Sequence, residues 1–494
     1  MGIFANPLTD LLEYEDFSRD FLKGTDPVGM TGCIDSEKVH FMSTFLGEKK
    51  VQLVVTYNEQ RAREIEEDYK LFCSQVYVIP PRDLIFFSAD LQGNAIIAER
   101  MKAFAALYQN EAKVIITTMD ALMSAAVPFE QLMSHVIKLK EGDELDLEKL
   151  KHDLTVMGYE RVGRVEEPGQ FTVHGGIADV YPLTMEVPVR IELWGDEIDT
   201  IRCFEPQSQR SMDQIECVSV FPAAEVIADD TARRRAAGMI QNELESQLAV
   251  FKKAKEPDKA KRLREETNRI LEALGEDVVL EAPDSYISYF YPRTVQLSEY
   301  FDEKNTLVFL DEPMRLKERG DGVQAEFEES MKNRLEQGFL LPGQTALLTP
   351  AKHVLAAFER GQVAALSSLD SRLADFTVVN SYAVNVQNMN TYREGFELLI
   401  KDLTHWKKEK YRVILLCASR TRGRRLAEDL LKEDLNGFYS EDPERVVQPG
   451  EIMVVHGNVK RGYEYPLIRF AVISETDVFG QEKKKARNLY FRAF

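Results

Sequence analysis

Short apolar runs alternate with charged, helically spaced stretches over the first part of the chain. VQLVVT (51–56) is followed by NEQRAREIEEDYKLF (58–72), and VYVIPP (76–81) by an amphipathic stretch around IIAERMKAFAALYQ (96–109); KVIITT (113–118) comes next. Apolar strands separated by helices predict an α/β unit built on a parallel sheet. Between 136 and 220 the pattern changes to period two with Gly and Pro punctuation, as in FTVHGGIADVYP (171–182) and VRIELWGDEIDTIRCF (189–204), which predicts a β-rich unit. Residues 221–275 are helical and densely charged, with Asp230-Thr231 as the expected N-cap, and such mixed charge reads as solvated faces. TLVFLDEP (306–313) returns to α/β character, and the acidic helical stretch 315–338 leads to a last α/β unit. Its expected strands are FTVVN (376–380), RVILLCAS (412–419), EIMVVHG (451–457) and RFAVIS (469–474).

One position disturbs the alternation. Val189, Ile191 and Leu193 form the inward face of a strand, which puts Arg190, Glu192 and Trp194 on the outward face before Gly195-Asp196 turns the chain. A tryptophan on the wet side of a hairpin either covers a neighbouring helix of its own unit or docks a partner, and the pattern alone leaves both open.

Composition narrows the classes. With 494 residues the chain is long for one domain, and 44% hydrophobic with 29% charged residues fits a globular protein. No apolar run approaches the ~18 residues that span a bilayer, and the acidic N-terminus lacks a signal-peptide layout. Five dispersed cysteines without a CxxC pair argue for a reducing cytoplasm and against a zinc site, so no metal site is expected. The balance of 62 basic against 82 acidic residues, net −20, repels a phosphate backbone on average and favours a protein partner over bare DNA. A local basic patch, such as the tail with Lys483–Lys485, stays compatible with that balance.

Candidate chemistry is incomplete. GMTGCIDSEK (29–38) keeps Gly29 and Gly32 of a phosphate-binding loop, but Cys33-Ile34 stand where Lys and a hydroxyl residue belong, and Lys38 is displaced by five residues. LVFLDEP (307–313) has the form of a Walker B strand, in which Asp311 would hold magnesium and Glu312 would polarise water. A Walker B strand without its loop predicts an NTPase-like scaffold without catalysis, and no catalytic residue is nominated.

The segment VGRVEEPGQFTVHGGIADVYPLTMEVPVRIELWGDEIDTIRCFEPQSQRS closely resembles the one shared by bacterial transcription-repair coupling factors (Mfd) and the UvrB subunit of nucleotide excision repair. NPLTDLLEYEDF, LVFLDEPMRLKE and VVHGNVKRGYEYPLIRFAVISETDVFGQEKKKAR are similar to the N-terminal half of a coupling factor. The resemblance implies a degenerate RecA/helicase-like α/β domain (1–135 and 221–335), interrupted by a β-rich α+β UvrA-docking domain (136–220). A third α/β domain (336–480) and a basic linker (481–494) that looks cut short would follow.

In that family the β-rich domain binds UvrA through an Arg in each of two strands and an aromatic near the hairpin turn. Carried over by motif, these are His174, Arg190 and Trp194, with Glu192 beside them; His174 departs from the usual Arg and loses its permanent charge. The family's polymerase-binding domain and ATP-dependent DNA translocase motor lie beyond the part resembled here. RNA polymerase, double-stranded DNA, ATP and magnesium would therefore be partners of that other half. The expectation is a cytoplasmic, non-enzymatic module without cofactor, which recruits UvrA in transcription-coupled nucleotide excision repair. The alternative is a UvrB-like ATP-dependent damage-verification enzyme.

Overall fold

A computed structural model describes residues 4, 7–48, 50–82, 92–276, 280, 283–370, 376–392, 396–442 and 445–479. The basic tail 481–494, with Lys483–Lys485, lies outside the described residues. None of the described helices is long and apolar enough to cross a membrane.

The largest sheet has seven strands in the order Asn380–Ala383, Val28–Thr31, Val363–Ser367, Thr306–Asp311, Val51–Thr56, Val114–Thr118 and Val76–Ile79. Every neighbouring pair runs parallel. A parallel sheet is covered on both faces, so its strands are apolar at odd and even positions alike. Leu53, Val55, Ile115 and Leu310 enter the core on one face, whereas Val54, Ile116, Leu307 and Phe309 enter the core on the other.

Two strands of this sheet depart from expectation. Val363–Ser367 and Asn380–Ala383 belong to the first sheet, although the chain after 335 was assigned to a third domain. The strand expected at FTVVN begins only at Asn380.

The β-rich unit is an insertion whose entry and exit strands, Ile137–Lys140 and Cys217–Val220, pair with each other. Its six-stranded sheet has the order Ser211–Gln214, Glu197–Phe204, Val189–Trp194, Ile177–Val180, Gln170–His174 and Glu160–Arg161. One face packs on Leu150 and Leu154 of the helix Leu147–Val156, through Phe171, Val173, Ala178, Val180, Val189, Ile191, Ile198 and Ile201. The opposite face carries the polar alternates.

The charged stretch after this unit folds as two helices, Asp230–Ala254 and Pro257–Leu274, reversed at Lys255 in the left-handed region. Asp229 caps the first helix by accepting from the Ala232 amide at 2.7 Å, one residue earlier than expected. Ala236, Ile240 and Leu244 of the first helix, with Leu263, Ile270 and Leu274 of the second, bury a stripe against the main core. Only the remaining faces are solvated.

A second six-stranded sheet, in the order Gln387–Asn388, Tyr463–Tyr465, Phe470–Ile473, Arg412–Cys417, Ile452–His456 and Gly437–Ser440, forms the last unit. Ile414, Leu416, Met453 and Val455 from this sheet join Val39, Phe41 and Tyr69 in a single core, so it is fused to the first domain rather than linked to it.

Candidate functional site

The hairpin Val189–Trp194/Glu197–Phe204 turns at Gly195, whose φ of +66° is in the region that favours glycine. Its neighbour Ile177–Val180 is reached from Gln170–His174 through Gly175-Gly176. The registers align outward-facing side chains in two rows. One runs Thr172, Asp179, Arg190, Arg202, Gln214; the other runs His174, Ile177, Glu192, Thr200. Trp194 follows Glu192 on the same face, directly across from Glu197. All four expected docking residues therefore share one surface.

Trp194 is 84% exposed, so it covers no helix of its own unit, and Ile177 nearby is 40% exposed. Arg190 is half-buried and held on two sides. Its Nε donates to Asp179 Oδ1 at 2.8 Å, its Nη2 donates to Asp179 Oδ2 at 2.7 Å, and its Cζ lies 4.8 Å from the centre of the Phe204 ring. The paired carboxylate raises the Arg190 pKa, against a smaller opposing effect of burial. Glu192 Oε2 accepts from the Thr200 hydroxyl at 3.2 Å, and His174 Nε2 lies 2.9 Å from Thr172 Oγ1. Asp179, Phe204, Ile177 and Arg202 were not singled out from sequence. Alternation places Asp179 between inward Ala178 and Val180, but its pairing with Arg190 needs the register of a different strand.

The nucleotide-like elements lie at the carboxyl ends of the parallel strands. Gly29 is within the strand Val28–Thr31; Gly32 has φ +82°, and a Cβ there would collide with the Val384 carbonyl oxygen. After a three-residue loop the helix Asp35–Ser43 begins, closed by Glu37 Oε2 accepting from the Ile34 amide at 3.2 Å.

Lys38, displaced in sequence, is central in space. Its Nζ is 2.7 Å from Asp311 Oδ1 and 2.6 Å from Glu312 Oε1, with Lys38 only 1% exposed. Asp311 Oδ2 also accepts from Thr56 Oγ1 at 2.8 Å and from Arg61 Nε at 3.3 Å. Glu312, itself at φ +55°, accepts from the Ser368 amide and hydroxyl at 2.9 and 2.7 Å.

Burial opposes charge on both Lys38 and Asp311, yet each holds the other ionised. Lys38 is pushed well above the ordinary lysine range by Asp311 and Glu312, and Asp311 is held down at about 2 by Lys38 and Arg61. Burial pushes Glu37 up to about 7, against hydrogen bonds from Tyr465 and Ile34. Tyr465 Oη donates to Glu37 Oε1 at 2.9 Å, the Arg461 amide donates to Ser36 Oγ at 3.2 Å, and the Lys460 amide donates to Asp68 Oδ1 at 2.7 Å. The last unit thus docks on this helix and on the one next to it.

Residues 137–225 match the family model described as the UvrB interaction domain. A transcription-repair-coupling factor of Bacillus subtilis (strain 168) is 28% identical over 487 residues, covering 97% of this chain and 41% of that protein. The chain is similar over nearly its whole length to transcription-repair-coupling factors. One from Staphylococcus epidermidis is 26% identical over 491 residues, covering 98% of this chain and 41% of its own. One from Staphylococcus haemolyticus is 27% identical over 487 residues, with 95% and 39% covered. The chain therefore spans about two fifths of the length of the coupling factors it matches. The matched interaction domain runs from the first residue of the entry strand to Glu225, whose buried carboxylate is paired with Arg100 of the first domain.

Proposed function

We propose that this chain is the UvrA-recruiting module of a transcription-repair-coupling factor. The outer face bearing Trp194, Arg190, Glu192 and His174 is the docking surface. The observation that carries this reading is an almost fully exposed Trp194 on a rigid strand inside the span that matches the UvrB interaction domain. Tryptophan and arginine dominate interface hot spots, because one covers large area at small conformational cost and the other forks hydrogen bonds.

The chain hydrolyses no nucleotide in this reading and needs no cofactor. Support comes from Lys38, whose charge is matched by Asp311 and Glu312, and from Glu37, which occupies the helix start where phosphate would sit. Engagement of RNA polymerase and of double-stranded DNA, and ATP-driven movement along it, fall to the remaining length of such a protein.

Purified UvrA captured by the immobilised chain tests the reading. Trp194→Ala and Arg190→Ala should each weaken binding by about 2 kcal/mol, roughly thirtyfold in Kd. Wild-type affinity in both variants would place the docking site elsewhere.

A further inference from the structure

The geometry points to Arg202 as a second specificity-determining residue of the docking face, one that receives an acidic side chain of the partner; this rests on the UvrA-docking reading above. Arg202 is directly opposite Arg190 in the antiparallel pair, on the same outward face. Like charges directly opposite one another destabilise a ladder unless something neutralises them.

Neutralisation here is one-sided. Asp179, across from Arg190 in the strand on its other side, takes both Nε and Nη2 of Arg190. On the far side of Arg202 the register places Gln214, which is neutral and donates its amide to Glu141 Oε1 at 2.8 Å. Glu192, the carboxylate on the same strand as Arg190, accepts from Thr200. Among the described residues Arg202 has no ion pair and no side-chain hydrogen bond.

The row therefore reads carboxylate, matched guanidinium, unmatched guanidinium, with neighbouring strands about 4.8 Å apart. Arg202 is half-buried, and its fork has no acceptor among the described residues. A planar fork of donors fixed at one end fits a carboxylate in bidentate geometry better than any neutral group. Trp194 would supply contact area, and Arg202 would supply the charge that selects an acidic patch over a basic one.

Binding of UvrA to the full chain, measured at several salt concentrations for Arg202→Ala, Arg202→Glu and Arg202→Lys beside Trp194→Ala, decides the matter. The expected result is a loss of roughly tenfold for Arg202→Ala and roughly a hundredfold for Arg202→Glu, as charged contacts at interfaces give. Arg202→Lys keeps the charge but not the fork, so it should retain the salt dependence while losing less affinity than Arg202→Ala, and Arg202→Ala should flatten the salt dependence. Wild-type affinity in Arg202→Ala and Arg202→Glu alongside a weakened Trp194→Ala overturns the role of Arg202 and leaves the docking face standing. Wild-type affinity in every variant removes the docking face itself, and this inference with it. Equal losses in the Ala and Lys variants at unchanged salt dependence would mark Arg202 as structural and also overturn the inference.

Discussion

Replacing Lys38 by methionine separates a structural cation from a phosphate-binding one. The ammonium lies between Asp311 and Glu312 at 2.7 and 2.6 Å, and Lys38 and Asp311 are both almost wholly excluded from water. Removing one partner of such a pair costs about 3–5 kcal/mol, because the other charge stays buried. Asp311 keeps Arg61 and Thr56, and Glu312 keeps Ser368, so the lower end, about 3 kcal/mol, applies. At roughly 2 °C of midpoint per kcal/mol for a large cooperative unit, Lys38→Met should lower the thermal midpoint by roughly 6 °C. The double variant Lys38→Met/Asp311→Asn should lose less than the sum of the singles. Far-UV circular dichroism on heating reads both, with and without ATP and magnesium. A nucleotide held by Lys38 would behave in the opposite way, raising the wild-type midpoint by mass action. An unchanged midpoint in Lys38→Met, or an ATP-dependent rise that this variant abolishes, would refute the reasoning.

Glu37 carries a pH signature. Its folded pKa of about 7 is above the ordinary carboxylate value, so the native state binds a proton that the unfolded chain has released between about 4.5 and 7. This contribution is fully present below that window and is lost as pH rises through it. Urea unfolding should show the wild type losing stability relative to Glu37→Gln between pH 5 and pH 8, by up to about 1.4 kcal/mol per pH unit within the window, and parallel profiles would contradict it. Gly32→Ala meets both a left-handed backbone and the Val384 carbonyl oxygen, and should cost more than about 3 kcal/mol in the same assay. Arg100→Met leaves Glu225 buried beside Arg82 and should destabilise by about 3–5 kcal/mol, whereas unaltered unfolding would show that the pair does not brace the end of the inserted unit.

The strands at 51–56, 113–118 and 306–311 were legible because burial on both faces leaves a continuous apolar run. Val28–Thr31 and Val363–Ser367 were not, since VGMT and VAALS are short and carry small residues that fit a loop equally well. Their short, small-residue sequences hide the continuation of the large sheet past residue 335. Period two located the outward face of the hairpin, and His174, Arg190, Glu192 and Trp194 do share that face; docking as its role came only from the family resemblance. The ion pair to Asp179 and the facing Arg202 depend on register across three strands, which alternation in a single strand does not contain. Lys38 is out of place only along the chain, because its partners are 273 and 274 residues away. A spacing rule for a phosphate loop registers the displacement but not the contacts that replace it.

Those contacts bear on how a partner would be held. Opening room for a phosphate near Lys38 would strand a buried lysine and a buried aspartate, and would also separate Glu37 from Tyr465 of the last unit. Each step leaves a charge or a donor uncompensated in a water-poor interior, so the closed arrangement is strongly preferred. In the proposed reading a first domain closed in this way would serve as a mount, with the Arg100–Glu225 pair fastening the end of the β-rich insertion to it. On the insertion, Asp179 and Phe204 fix the Arg190 fork before any partner arrives. In the proposed docking reading, Arg190 meets a partner with its conformational entropy already given up in folding, whereas Trp194 and the Arg202 fork would be ordered on binding.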